Sequence, residues 1–172
     1  MKVWILGLCL FAAGCGGEVP GLSTSPSSAT GGAALTQAAN GTDLPFRGSL
    51  EGVETAVLNF PTVDVHSTGG GQGTHLGRFT ATFHALVTLP AGTAVGTFTF
   101  VAANGDSVFA TFTGQSAPTN VAGVVSIQET ATITGGTGRF EGATGTFTID
   151  RLLNQGTHVS SGSFSGTIDL NH

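Results

Sequence analysis

A carboxylate interrupts an otherwise apolar face in the second half of the chain. Residues two apart on a β-strand point to the same side, and over residues 122–134 Glu129 is in phase with apolar neighbours, which are Val125, Ile127, Ala131 and Ile133. Glu129 is therefore predicted to project into the core. A carboxylate in such surroundings is unfavourable unless it is paired. Glu129 is therefore either a general acid or base, or an anchor for a ligand, or it forms a structural ion pair with an arginine such as Arg78 or Arg139.

An imidazole also interrupts an apolar face in another segment. His75 is in phase with the apolar side chains of Phe79, Ala81 and Phe83. A carboxylate and an imidazole in one apolar lumen could act as acid and base, so Glu129 and His75 are the candidate catalytic residues. The alternative is structural: a β-bulge reverses the phase of either residue, or each lies at a barrel rim and hydrogen-bonds to backbone.

Other chemical motifs are weak. The sequence has no P-loop, no zinc-type spacing of Cys and His, and no Gly-x-Ser-x-Gly turn. Asp64 and His66 would share a face if residues 62–66 were extended, but two ligands beside the glycines at 69–71 are too few to hold a metal. This segment is predicted to be a solvated loop, and we expect no metal and no cofactor.

The elements that must position these residues are β-strands. Apolar and polar residues alternate over runs that are separated by turns rich in Gly, Asn and Pro; the runs cover 44–51, 53–60, 73–88, 95–103, 106–114, 122–134, 143–153 and 158–170. Sequential antiparallel strands of this kind form a closed barrel or a sandwich. The long runs and their internal glycines favour an all-β fold, an eight-stranded antiparallel closed barrel over residues 43–172 with phenylalanines in its lumen.

Composition supports this fold and excludes one class of partner. The 172 residues include 28 Gly, 12 Phe, 26 Thr and no Tyr, and 9% are charged. Gly and Thr disfavour helices, and Leu, Lys and Glu, which commonly fill them, are few. The net charge is −5, and no lysine follows Lys2. Without a basic surface, nucleic acid is not an expected partner.

The N-terminus is predicted to direct export and membrane attachment. Lys2 precedes an apolar stretch over 3–13, which is typical of a signal peptide and too short for a transmembrane helix of roughly 20 residues. Residues 11–15, Phe-Ala-Ala-Gly-Cys, resemble a bacterial lipobox. The resemblance implies a lipoprotein signal peptide over 1–14 and an acylated Cys15, and Gly16 implies the outer membrane if the cell is Gram-negative. Simple cleavage and secretion is the alternative.

A segment without a hydrophobic period separates Cys15 from the predicted barrel. Residues 16–42 are mostly Gly, Ser, Thr, Ala and Pro, with Glu18 as their one charged residue. This composition is typical of a flexible linker. Residues 15–42 are therefore predicted to be an acylated, disordered tether that holds the barrel to the extracytoplasmic side of a bacterial membrane.

One segment carries a family resemblance. Residues 135–145 read Gly-Gly-Thr-Gly-Arg-Phe-Glu-Gly-Ala-Thr-Gly, and together with 74–80 and 103–106 they resemble the allene oxide cyclase and dirigent-like barrel superfamily and its small bacterial relatives. In the motif we expect structural roles, with Phe140 plugging the barrel and Arg139 holding a carboxylate at its rim; the motif residues are Gly135, Gly136, Gly138, Arg139, Phe140 and Gly142. Plant members of the superfamily cyclise an allene oxide or guide phenoxy-radical coupling. Their working residues include tyrosines, so none is transferred to this chain.

Three functions are open at this point. The first is a lipid-anchored module that binds a small hydrophobic ligand or an envelope partner without catalysis. The second is an isomerase or cyclase that acts on a hydrophobic small molecule in the lumen. The third is a fully packed barrel that only contacts another envelope component. An open lumen that contains Glu129 would favour the first two, and a lumen filled by Phe side chains would favour the third.

Overall fold

The protein is an eight-stranded antiparallel barrel. The structure, a computed structural model, describes residues 42–171; the predicted signal peptide, Cys15 and residues 16–41 lie outside them. The strands follow one another around a closed barrel in sequence order, as predicted; they are β1 Leu44–Asn59, β2 Thr62–Gly73, β3 Gly77–Thr88, β4 Thr93–Ala102, β5 Ser107–Pro118, β6 Val124–Gly136, β7 Thr144–Asn154 and β8 Val159–Asp169. Within residues 42–171, no helix is long and apolar enough to cross a membrane.

The barrel closes through β1 and β8, which pair from Leu44 opposite Ile168 to Val53 opposite Val159. Its two ends differ. The plug end carries the connections at 74–76, 103–106 and 137–143, and the cavity end carries the connections at 60–61, 89–92, 119–123 and 155–158. These two names are used below.

Two strand predictions are wrong: one divides a single strand into two, and the other treats a strand as a loop. The predicted number of strands, eight, is nevertheless correct. The runs 44–51 and 53–60 form one continuous strand, β1, while the predicted solvated loop that contains Asp64 and His66 is part of β2. The glycines at 69–71 have no side chains, so this part of β2 lacks the apolar alternation that indicates a strand. At these positions the backbones of the neighbouring strands β1 and β3 come very close to β2. A Cβ on Gly71 would lie 1.9 Å from the carbonyl oxygen of Ser49, so no larger side chain fits between these strands.

Phenylalanines fill the lumen from the plug end to about its middle. Most of their rings pack edge to face or tilted, as in the pairs Phe46–Phe147 at 5.2 Å and Phe79–Phe100 at 5.4 Å between ring centroids, and Phe98 stacks on Phe100. The buried members are Phe46, Phe79, Phe83, Phe98, Phe100, Phe112, Phe140, Phe147 and Phe164. The prediction that phenylalanines occupy the interior is confirmed for this part of the barrel.

The glycine-rich motif is a corner of the plug end. Gly138 has a φ of +57°, and a Cβ there would lie 1.9 Å from Oδ1 of Asp106, so a larger residue would be strained and would displace the Asp106 carboxylate. Phe140 follows in a short 3₁₀ turn and is fully buried. Arg139 Nε lies 3.7 Å from Oδ2 of Asp106. The motif thus places a buried phenylalanine and a carboxylate-paired arginine at the plug end.

Candidate functional site

A cavity lies in the lumen at the cavity end, beyond the phenylalanines. Its volume is about 250 Å³, and its wall is mostly aliphatic, with side chains such as Val63, Val65, Val87, Ile127 and Leu153. Three charged residues also line it: Glu54 of β1, Glu129 of β6 and Arg151 of β7. The lumen is therefore neither fully open nor fully packed, and its remaining space is next to buried charge.

The three charged side chains form one hydrogen-bonded cluster. Arg151 donates from Nε and Nη2 to the two carboxylate oxygens of Glu129, at 3.1 and 2.8 Å, and from Nη1 to Oε1 of Glu54. The side chains are 4% (Arg151), 1% (Glu129) and 5% (Glu54) exposed. The guanidinium also lies 4.8 Å above the ring of Phe83. A bidentate pair of this kind holds both partners in one geometry.

The electrostatics of the cluster favour additional positive charge. Burial by itself lowers the pKa of the Arg151 guanidinium, but hydrogen bonds and charges from Glu129 and Glu54 more than offset this, so its pKa is above the ordinary value. Two carboxylates and one guanidinium give a formal net charge of −1. Among the described residues that line the cavity, only these three are charged. A cation or a strong hydrogen-bond donor that enters the cavity would meet this excess negative charge.

The two carboxylates are not equivalent. Arg151 occupies both oxygens of Glu129, whereas it binds only Oε1 of Glu54. Within residues 42–171 no donor hydrogen-bonds to Oε2 of Glu54. Glu54 is thus the carboxylate with an oxygen available to a ligand.

A buried hydroxyl lies close to this cluster. Ser160 pairs with Gly52 in β1 and with Leu153 in β7, two residues along the strands from Glu54 and Arg151. Its Oγ is buried and has no hydrogen-bond partner among the described residues. Buried polar atoms normally have hydrogen-bond partners. The cavity end therefore contains a second side-chain oxygen without a hydrogen-bond partner among residues 42–171, in addition to Oε2 of Glu54.

The structure places the two candidate catalytic residues apart. Glu129 projects into the lumen, as its phase predicts, but its partner is Arg151 and not Arg78 or Arg139. His75 lies in the β2–β3 turn at the plug end, half-buried and with a φ of +61°. Its predicted phase is wrong because β3 begins at Gly77, so the alternation of that strand does not extend to residue 75.

Sequence reasoning missed Glu54 and Arg151, although a signal for each was present. Arg151 continues the alternating inward series of Phe147 and Ile149, and one more step of two residues reaches it. Glu54 is in phase with Phe46, but dividing β1 at residue 52 hides this relation. The alternation of apolar and polar residues does not show that β1, β6 and β7 bring Glu54, Glu129 and Arg151 into contact.

A second polar group lies on the outer surface. His66 of β2 and His84 of β3 are direct cross-strand partners, with rings stacked 4.5 Å apart. Their Nε2 atoms lie 3.2 Å (His66) and 2.8 Å (His84) from Oδ1 of Asp64. The structure therefore brings a third group, His84, to the Asp64–His66 pair that the sequence presents as too small for a metal.

Comparisons with protein-family models, with curated proteins and with solved structures found no match for this chain. The fold and the site define a closed eight-stranded antiparallel β-barrel with a charged cavity at one end. The resemblance to the allene oxide cyclase and dirigent-like superfamily stays a prediction from sequence.

Proposed function

We propose that the barrel binds a small molecule with an apolar body and a positively charged amino group, and that it does so without catalysis. The observation that carries this proposal is the buried Glu54–Arg151–Glu129 cluster, which has a formal net charge of −1 and lines an aliphatic cavity. Burying unbalanced charge is unfavourable. A cationic ligand would balance the charge, while its alkyl part would contact the valine and leucine wall.

The size of the cavity limits the ligand. At about 250 Å³, it is smaller than the roughly 300–1,000 Å³ of sites that enclose drug-sized molecules. A short alkylamine or a similarly compact amine fits this volume. The ammonium group would donate to Oε2 of Glu54, the oxygen that Arg151 does not bind.

The isomerase alternative has no comparable support. It depends on Glu129 and His75 acting on one substrate, and these residues lie in different parts of the barrel. Both oxygens of Glu129 accept hydrogen bonds from Arg151, so proton transfer by Glu129 would require breaking a buried bidentate pair.

Titration calorimetry with simple amines tests the ligand class. We expect n-butylamine and n-hexylamine to bind at least about 10-fold more tightly than the alcohols of equal length, because a charge-assisted hydrogen bond to a buried carboxylate contributes roughly 1.5–3 kcal/mol. Replacing Glu54 with Gln should remove this preference. Glu51→Gln is the matched control, since Glu51 lies on the same strand and is exposed. Equal binding of amines and alcohols, or equal effects of the two substitutions, would refute the proposal.

We further propose that the barrel is attached to the extracytoplasmic face of a bacterial membrane through a lipid on Cys15. The support is the resemblance of residues 11–15 to a lipobox and the apolar stretch before it. At least two acyl chains on this residue would give stable attachment, whereas one chain binds only marginally.

Replacement of Cys15 with Ser tests the anchor. The wild-type protein should incorporate labelled palmitate, and the variant should incorporate none, because a serine at that position offers no thiol for acylation. Cys9→Ser is the control, since Cys9 lies within the predicted signal peptide and its loss should leave the labelling unchanged. Labelling that survives Cys15→Ser, or a wild-type protein that takes up no label, would show that Cys15 does not carry a lipid.

A further inference from the structure

We propose that Asp64, His66 and His84 form a binding site for a borderline divalent transition-metal ion such as Zn²⁺ on the outer wall of the barrel. The register of β2 and β3 creates the site. His66 and His84 are directly opposite each other in the antiparallel pair, and Asp64 is two residues from His66 on the same strand. All three side chains therefore leave the sheet on one face.

The side-chain atoms converge as metal ligands do. The Nε2 atoms of His66 and His84 lie 3.2 and 2.8 Å from Oδ1 of Asp64, and one donor atom from each of the three residues lies within 4.8 Å of the others. In a tetrahedral zinc site with bonds of about 2.0–2.1 Å, neighbouring donor atoms are roughly 3.3 Å apart. The ion could thus be bound with small side-chain movements and no change in the strands.

The donor set selects the class of ion. Two imidazole nitrogens and one carboxylate oxygen suit zinc, and also nickel and copper. Calcium and magnesium prefer more oxygen ligands than this group offers. Three protein ligands leave one position for water, as in zinc sites that are not purely structural.

The site is accessible and separate from the lumen. Exposed fractions of the side chains are 64% for His66, 51% for His84 and 37% for Asp64, so an ion can reach all three. None of them lines the cavity that contains Glu54, Glu129 and Arg151. The test of metal binding on the outer wall is therefore independent of the test of amine binding in the lumen.

Zinc titration of the full chain tests the proposal. All variants carry Cys9→Ser and Cys15→Ser, so that no thiol competes for the ion, and the purification tag contains no histidine. We expect saturable binding of one Zn²⁺ per chain and a higher melting temperature with zinc than with a chelator, since an ion that binds only the folded state stabilises it. Calcium should bind at least about 10-fold more weakly than zinc.

Substitutions then locate the ion. His84→Gln should weaken zinc binding by at least about 10-fold, since loss of even an outer-shell partner typically has an effect of this size. His158→Gln is the control because His158 is an exposed histidine in the β7–β8 connection. If His84→Gln fails to fold, His66→Gln supplies the same test from the neighbouring strand. Absence of saturable zinc binding, or equal weakening by the His84 and His158 substitutions, would overturn the proposal.

Discussion

We expect replacement of Arg151 by Met to lower the free energy of unfolding by about 3–5 kcal/mol, because removing one partner of a buried ion pair leaves uncompensated charge. Here the substitution leaves two buried carboxylates, Glu54 and Glu129, without the guanidinium to which both are paired. Urea unfolding followed by circular dichroism measures the loss. The barrel has neither Tyr nor Trp, since the one Trp is Trp4, so tryptophan fluorescence would not report on its unfolding.

Arg139→Met is the matched control for this measurement. Arg139 is 43% exposed and lies 3.7 Å from Asp106, and such surface pairs contribute roughly 0–1 kcal/mol. A double substitution, Arg151→Met with Glu129→Gln, should recover part of the lost stability because it removes one of the two unpaired charges. If the Arg151 and Arg139 substitutions destabilise equally, the buried cluster does not have the electrostatic role that we assign to it.

The sequence predicts the fold where side-chain alternation is clean. In β3 the inward series Phe79, Ala81, Phe83, Ala85 and Val87 alternates with outward residues that are polar except for Leu86, and the outward residues are the more exposed ones. Turns containing Asn, Gly or Pro then mark the strand ends. Local chemistry of this kind depends only on near neighbours, which is why a single sequence contains it.

The site depends on information that is not local. That Glu129 faces inward follows from its own strand, but its partner comes from β7 and the second carboxylate from β1. Which residues meet is decided by strand register and barrel closure, and these are set by close backbone approach at positions such as Gly71. Alternation shows which face a residue occupies, but it does not identify the residues of other strands that lie beside it.

The pairing of His66 with His84 on the outer face also depends on strand register, which the sequence alone does not show. His84 lies on the polar face of a well-predicted strand, and only the recognition of β2 as a strand brings His66 opposite it. Consecutive glycines in β2 remove the alternation that would have revealed this strand. Their role in permitting close approach is visible only when the neighbouring strands are present.

The second large effect is expected in the phenylalanine half of the lumen. Phe100→Ala should reduce the free energy of unfolding by about 3–5 kcal/mol, the usual range for removing a buried Phe ring. Phe100 is fully buried, with ring centroids of Phe79, Phe98, Phe147 and Phe164 between 5.4 and 5.9 Å away. These neighbours are attached to four strands of a closed barrel, so they cannot collapse far into the space that the ring leaves.

Phe109→Ala provides the comparison on the outer face. Phe109 is 39% exposed and belongs to β5, so its replacement should change stability by about 1 kcal/mol or less, within the range of strand propensities. Chemical denaturation of both variants under identical conditions gives the difference directly. A Phe100→Ala loss as small as that of Phe109→Ala would mean that the lumen near the plug end is loosely packed.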